Sequence, residues 1–155
     1  LSAPDPGRGT FERTIQPEPV HRSTQGKARK RALDILFESE LRGVDPLTTL
    51  SDRTADADPP VRDYTVRLVE AVGANRNAID ARISAALARG WTLARLPRVD
   101  RAALRIAVCE VDFLDVAPGV AVSEAVSLVG ELSTDDSPSF VNGVLGAVVR
   151  ESSTA

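Results

Sequence analysis

From Lys27 to Arg42 apolar residues recur with a helical period: Ala28, Ala32, Ile35, Leu36 and Ser39 share one face, widened by Leu33 and Phe37. Lys27, Lys30, Arg31, Asp34 and Glu38 fall on the opposite side, so the segment predicts an amphipathic helix, which Gly43 closes. Arg29 falls among the apolar positions, near Leu33 and Leu36, which implies a packed stem and a head held in place. A short helix is predicted near Pro46 to Leu50, followed by a polar, Asp-rich loop from Ser51 to Pro60. Tyr64, Leu68, Val72, Ile79, Ile83 and Leu87 then recur at spacings of four or seven. That stripe predicts one long helix, bent at Gly73 and ending at Gly90. Thr92 caps a short turn through Leu96, which Pro97 stops.

Between Arg98 and Asp115, Leu104, Ile106, Ala107, Val108, Cys109, Val111, Phe113 and Leu114 cover most of a helical circumference. This marks a central helix packed on several sides. The β-branched residues leave a buried strand open at Ile106 to Val111, but length and the helical neighbours favour helix. Pro118 and Gly119 form the next break, and Val122, Ala125, Val126 and Val129 give a helix ending near Leu132. Ser137-Pro138 reads as an N-cap followed by proline at the first helical position. Phe140, Val141, Val144, Leu145 and Val148 form the apolar face of the last helix. No internal repeat and no convincing strand emerge. The fold class is all-α, a compact bundle of about six or seven helices. Residues 1–25, with Pro4, Pro6, Pro17, Pro19, Gly7 and Gly9, show no periodicity and are expected to form a flexible N-terminal arm. A single domain over 26–151 and a disordered tail over 152–155 complete the expected organisation.

At 155 residues such a domain can bury a real core without staples. Aromatics make up only 4% of the chain, so that core must be built from Ala, Val and Leu. The single cysteine, Cys109, excludes an internal disulfide and fits a reducing interior. No apolar run approaches a membrane span, and no stretch resembles a signal peptide. A soluble cytoplasmic protein without a membrane partner is expected.

Net charge is −3, which by itself argues against nucleic acid, but its distribution argues otherwise. No acidic residue lies between Glu18 and Asp34, where Arg22, Lys27, Arg29, Lys30 and Arg31 all fall. Taking those five from the 19 basic residues leaves 14 against 22 acidic ones, so the charges are segregated rather than mixed. A solvated basic helix start would carry the same pattern. Cations at a helix N-terminus oppose its dipole, at roughly 0.3–1 kcal/mol each. An anionic partner would offset that cost, because side-chain cations and free backbone N–H groups converge on phosphate. Base stacking would rest on few residues: Phe37, Phe140 or Tyr64.

Catalytic constellations are poor. The only histidine, His21, sits in the arm, and Cys109 lies in the most apolar helix with nothing basic placed to lower its pKa. There is no phosphate-binding glycine loop, metal-ligand spacing or nucleophile elbow, and Asp135-Asp136 suits a helix dipole better than a carboxylate site. The expectation is no catalytic residue, no metal, no cofactor and no enzymatic activity.

Three segments resemble the NusB family of transcription antitermination factors. Ala28-Arg-Lys-Arg-Ala-Leu-Asp-Ile-Leu-Phe37 is similar to the family's opening Ala-Arg-x-x-Ala-x-x-x-Leu-Tyr/Phe. Val99-Asp-Arg-Ala-Ala-Leu-Arg-Ile-Ala-Val-Cys-Glu110 is similar to its central helix. The most specific is Val122-Ser-Glu-Ala-Val126 followed by Asp136-Ser-Pro-Ser-Phe-Val-Asn-Gly-Val-Leu145. The resemblance implies binding to boxA RNA of ribosomal RNA leaders together with a small-subunit ribosomal protein, NusE, within the RNA polymerase antitermination complex. It points to Arg29 first, with Lys27, Lys30 and Arg31 beside it, as RNA-binding residues. Asp136 and Phe140 match positions near the RNA-facing surface, and Asp100 and Arg101 the region facing the ribosomal-protein partner. Asn142, polar within an apolar helix, is expected to make a structural hydrogen bond. Two departures stand out: the arginine-rich opening is diluted across Arg22 to Lys27, and the proline-rich stretch before it has no counterpart. The alternatives are a protein-interaction module or homodimer on the same fold, and the RNA-binding domain of a ribosomal RNA methyltransferase.

Overall fold

The computed structural model describes residues 21–57 and 59–153. They form α1 (Thr24–Arg42), α2 (Pro46–Asp56), α3 (Asp63–Ala74), α4 (Arg76–Ala86), α5 (Arg98–Phe113), α6 (Pro118–Leu132) and α7 (Ser137–Ser153). A 3₁₀ turn, Leu93–Arg95, precedes α5, and no strand occurs among the described residues. The all-α expectation holds. Most of residues 1–25 lies outside the described residues, but α1 already begins at Thr24, where Ser23 Oγ accepts from Gly26 N at 3.0 Å. At the other end Ser152 and Ser153 continue α7, against the expected tail.

Helix α5 is the axis of the bundle and packs against α1, α3, α4, α6 and α7. Every residue from Asp100 to Glu110 is buried. Ala102, Ala103 and Ala107 let neighbouring helices approach closely, while Leu104, Ile106 and Val108 fill the space toward Leu33, Leu68, Ile79, Ile83, Leu128 and Leu145 in the same core. Each of those large side chains contributes roughly 1.5–3 kcal/mol by leaving water. No strand forms at Ile106 to Val111: these residues lie within α5.

Three expected boundaries move. The stripe from Tyr64 to Leu87 belongs to two helices, divided at Asn75 (φ −117°, ψ 19°) rather than bent at Gly73. The Asn75 side-chain amide donates to the Ala71 carbonyl at 2.9 Å, and the Asn75 main-chain carbonyl accepts from Ile79 N at 2.9 Å. This local competition ends α3 and starts α4, yet keeps Val72 and Ile79 on the core side. Helix α2 runs through the expected loop to Asp56 because Asp45 caps it and Arg53 makes a two-pronged pair with Glu38 of α1, both bonds 2.9 Å. Its sequence is polar because only Thr49 and Leu50 face the core. Pro118 and Gly119 are the first turn of α6 rather than a break, with proline at a position whose N–H no helix uses.

Candidate RNA-binding surface

The start of α1 sorts its basic residues into two kinds. Arg29 is only 6% exposed: its Nε donates to Glu110 Oε1 at 3.1 Å and Oε2 at 2.8 Å, and its guanidinium lies 5.6 Å from the Tyr64 ring centre. Tyr64 donates its hydroxyl to the same carboxylate, and Glu124 Oε1 stands 3.8 Å from Arg29 Nη1. Burial by itself disfavours the guanidinium charge, but the hydrogen bond and charge of Glu110 outweigh it and raise the Arg29 pKa. Burial, with the adjoining carboxylate, pushes the Tyr64 phenol well above its ordinary value. Arg29 therefore fastens α1 to α3 and α5, with its Nε committed to Glu110 and little surface left for the phosphate contact expected of it. Arg22 is buried as well, against Glu131 and Ser127 of α6.

Lys27 is exposed, and Lys30 and Arg31 are half-buried beside it. Lys30 reaches Glu131 at 3.2 Å, whereas Lys27 and Arg31 make no ion pair with any described residue. Together the three line an open groove of about 540 Å³, whose far wall is Asp56, Pro59, Pro60, Val61 and Arg62. Past Val61 the surface continues to Arg67 and the Thr24 end of α1. Arg62 and Arg67, both exposed and without a described ion-pair partner, are cations that sequence reading passed over. They stand more than thirty positions along the chain from Lys27, and only the packing of α3 on α1 brings them together.

A second cluster sits at the α6–α7 turn. Asp136 is exposed, and Phe140 is half-buried with its ring 5.8 Å from that of Trp91, tilted by 48°. Trp91 is 51% exposed and was not singled out from sequence, although its position just after Gly90 (φ 91°) marks a turn tip. Leu96, Pro97, Thr134 and Ser137 complete the depression around the pair.

The two residues expected to face a protein partner lie inside. Asp100 is 2% exposed and accepts hydroxyl hydrogen bonds from Ser133 at 2.6 Å and Ser137 at 2.9 Å. Ser137 thus holds Asp100 instead of capping α7, as its sequence context suggested. Arg101 donates to the carbonyls of Leu93 at 2.8 Å and Leu96 at 2.9 Å, and pairs with Glu40. Burial, then the nearby Arg105, lowers its pKa. Both satisfy internal groups, so Asp100 and Arg101, expected to face a protein partner, are buried anchors of the bundle in this structure. Asn142 is exposed and makes no hydrogen bond to a described residue, so the structural bond expected of it is absent.

Cys109 is fully buried, and burial, with Glu110 and Asp112 nearby, pushes its pKa up to about 12. Among the described residues no cluster of His, Cys, Asp or Glu suited to a metal occurs, and no helix is long and apolar enough to cross a membrane.

A transcription antitermination protein NusB from Saccharopolyspora erythraea is 57% identical over 127 residues, covering 80% of this chain and 85% of its own. Among solved structures, T. maritima NusB superposes with a TM-score of 0.75 at 27% identity, covering 84% of this chain and 94% of that one. A chain from a complex of the antitermination factors NusB and NusE with double-stranded RNA gives 0.73 at 30% identity, covering 82% and 96%. The model of the NusB family matches residues 26–150, the whole bundle from α1 almost to the end of α7, and the chain belongs to that family.

Proposed function

We propose that this protein is a non-enzymatic transcription antitermination factor of the cytoplasm. In this reading it binds boxA RNA of ribosomal RNA leaders through the α1 cation face, together with a NusE-type small-subunit ribosomal protein. One observation carries the RNA contact. Most described arginines pair with carboxylates of the bundle, whereas Lys27, Arg31, Arg62 and Arg67 line adjoining grooves without a direct ion pair to a described residue, outnumbering the acids there, Asp34, Asp56 and Asp63. An excess of cations side by side is unfavourable unless solvent or an anion meets them, and a phosphate backbone supplies that charge at regular spacing. Lys30 joins this face when phosphate competes with Glu131 for it. The resemblance of the fold to a NusB chain solved with NusE and RNA supports the same partners.

The test is a salt titration of binding to boxA RNA and to a scrambled control, with and without the ribosomal protein. Binding should tighten for boxA when the partner is added and weaken steeply with salt. Reversing charge in Lys27→Glu and Arg31→Glu together should reduce affinity by an order of magnitude or more, on the basis of two lost phosphate contacts. Equal binding to both RNAs under every condition would overturn the reading and leave a protein-interaction module on this fold.

A further inference from the structure

At the end of α1 away from the cation face, four arginines share two carboxylates. Glu40 is met by Arg98 at 3.4 Å, by Arg105 at 3.6 Å and by Arg101. Asp80 is met by Arg105 at 2.8 Å and by Arg76 at 3.1 Å. The cluster therefore carries two positive charges in excess. Arg76 and Arg98 reach water, which screens an excess of this kind, but Arg101 and Arg105 keep only 9% of their side chains exposed. The excess is felt inside: burial first, and then Arg105, holds the Arg101 pKa below its ordinary value.

Arg76 and Arg105 line a cavity of about 200 Å³ between the α1–α2 turn, α4 and α5, with Leu36, Val44, Pro46 and Ala102 as its apolar walls. Hydrogen-bond donors are left over there. Arg105 commits Nε and Nη2 to Asp80, while its Nη1, too far from Glu40 for a hydrogen bond, has no hydrogen-bond partner among the described residues. Arg76 commits only Nε, so neither of its Nη nitrogens has one. No buried side-chain nitrogen among the described residues lacks a partner, so Arg105 Nη1 is not sealed and opens on the cavity that Arg105 lines. The geometry points to a binding site for one small oxyanion, inorganic phosphate, held between the guanidinium forks of Arg105 and Arg76. Such forks match the oxygens of phosphate, and apolar walls strengthen the attraction by keeping water away. Glu40, also on the cavity wall, opposes an anion, yet three guanidiniums converge on it and more than neutralise it. A cavity of this size is below the roughly 300–1,000 Å³ of pockets for larger ligands, so it suits a free ion and not an RNA strand. Glu40 lies thirteen positions beyond Lys27 on α1, about 20 Å along the helix at 1.5 Å per residue, so the site is separate from the proposed RNA face. Bound there, phosphate would bridge Arg76 of α4 and Arg105 of α5.

The probe is inorganic phosphate, titrated by calorimetry into the whole protein in chloride buffer at constant ionic strength. Calorimetry is preferred to a melting shift, because phosphate also stabilises folded proteins through exclusion from their surface. The wild type should bind one equivalent saturably, in the millimolar range or tighter. Arg76→Gln should weaken binding roughly tenfold or more through lost charge-assisted hydrogen bonds, and Arg76→Lys should recover part of the loss. Glu40→Gln removes the opposing carboxylate and should tighten binding. Arg82→Gln, on the same helix but paired with Asp112 outside the cavity, should leave it unchanged. The Lys27/Arg31 double variant should bind phosphate as the wild type does, and Arg76→Gln should keep wild-type affinity for boxA RNA. Circular dichroism melts of each variant confirm that it folds. No saturable binding by the wild type, or equal binding by Arg76→Gln, would overturn the site. Loss of phosphate binding in the Lys27/Arg31 double variant would place the ion on the RNA face and overturn it too, with the RNA-binding reading left intact.

Discussion

Replacing Arg29 with methionine keeps most of the stem volume and removes the guanidinium from a site where both partners are out of water. Its side chain is 7% exposed and that of Glu110 1%, with the shortest N–O distance 2.8 Å. After the change Glu110, 1% exposed, retains only the Tyr64 hydroxyl as a hydrogen-bond partner. Stranding one charge of a buried pair costs about 3–5 kcal/mol, and the lost contact over Tyr64 falls within that range. For a domain of this size the melting temperature should drop by on the order of 10 °C. Arg29→Met combined with Glu110→Gln removes the stranded charge and should recover more than half of the loss. Urea unfolding, read by the amide circular dichroism signal, gives each free energy, and the salt dependence of RNA binding is measured on the same proteins. The salt slope of Arg29→Met should match the wild type, because no phosphate contact is lost. A variant destabilised by less than about 1 kcal/mol, with a slope reduced by roughly one contact, would refute the reasoning and return Arg29 to the RNA surface.

Two other measurements probe the interior and the rim. Cys109, with its thiol pushed up to about 12 and no exposed surface, should resist alkylation in the native protein at neutral pH and react at a rate set by global unfolding; fast native labelling would contradict the packing of α5. Glu131 has its pKa lowered, chiefly by the hydrogen bond from Arg22, with Lys30 assisting. A carboxyl with a depressed folded pKa contributes stability above its unfolded value, about 4.3, which is lost as pH falls through the folded value. Glu131→Gln should therefore be less stable than wild type at neutral pH, and the two should converge in acid; a difference independent of pH would exclude the ion pairs as its source.

Much of the bundle is legible in the chain. The period of Ala28, Ala32, Ile35 and Leu36 defines α1, and the all-round apolar pattern from Leu104 to Val111 identifies the central helix, because burial on several sides leaves no polar face to read. The two fused or shortened helices have local causes. Asn75 breaks a stripe that hydrophobic period alone carries straight through, and α2 is stabilised on its polar side by Arg53–Glu38, a contact between residues fifteen apart that no local window contains. The anomalous position of Arg29 among apolar residues announced a held head, but its partner Glu110 is 81 residues away.

By itself the sequence determined helix positions, an aliphatic core, a segregated basic segment and the motifs of a family, since each depends on neighbours within a few turns. Tertiary structure alone decided which charges are available. Asp100 and Arg101 look like surface chemistry in the chain, yet they are buried and matched by groups from other elements, as is Arg29. Arg62, Arg67 and Trp91 carry no local signal of function and become significant only where α3 meets α1 and α7 meets the turn before α5. The physical reason is that availability of a charge or a ring is a property of what packs against it, and packing partners in a helical bundle are distant in the chain.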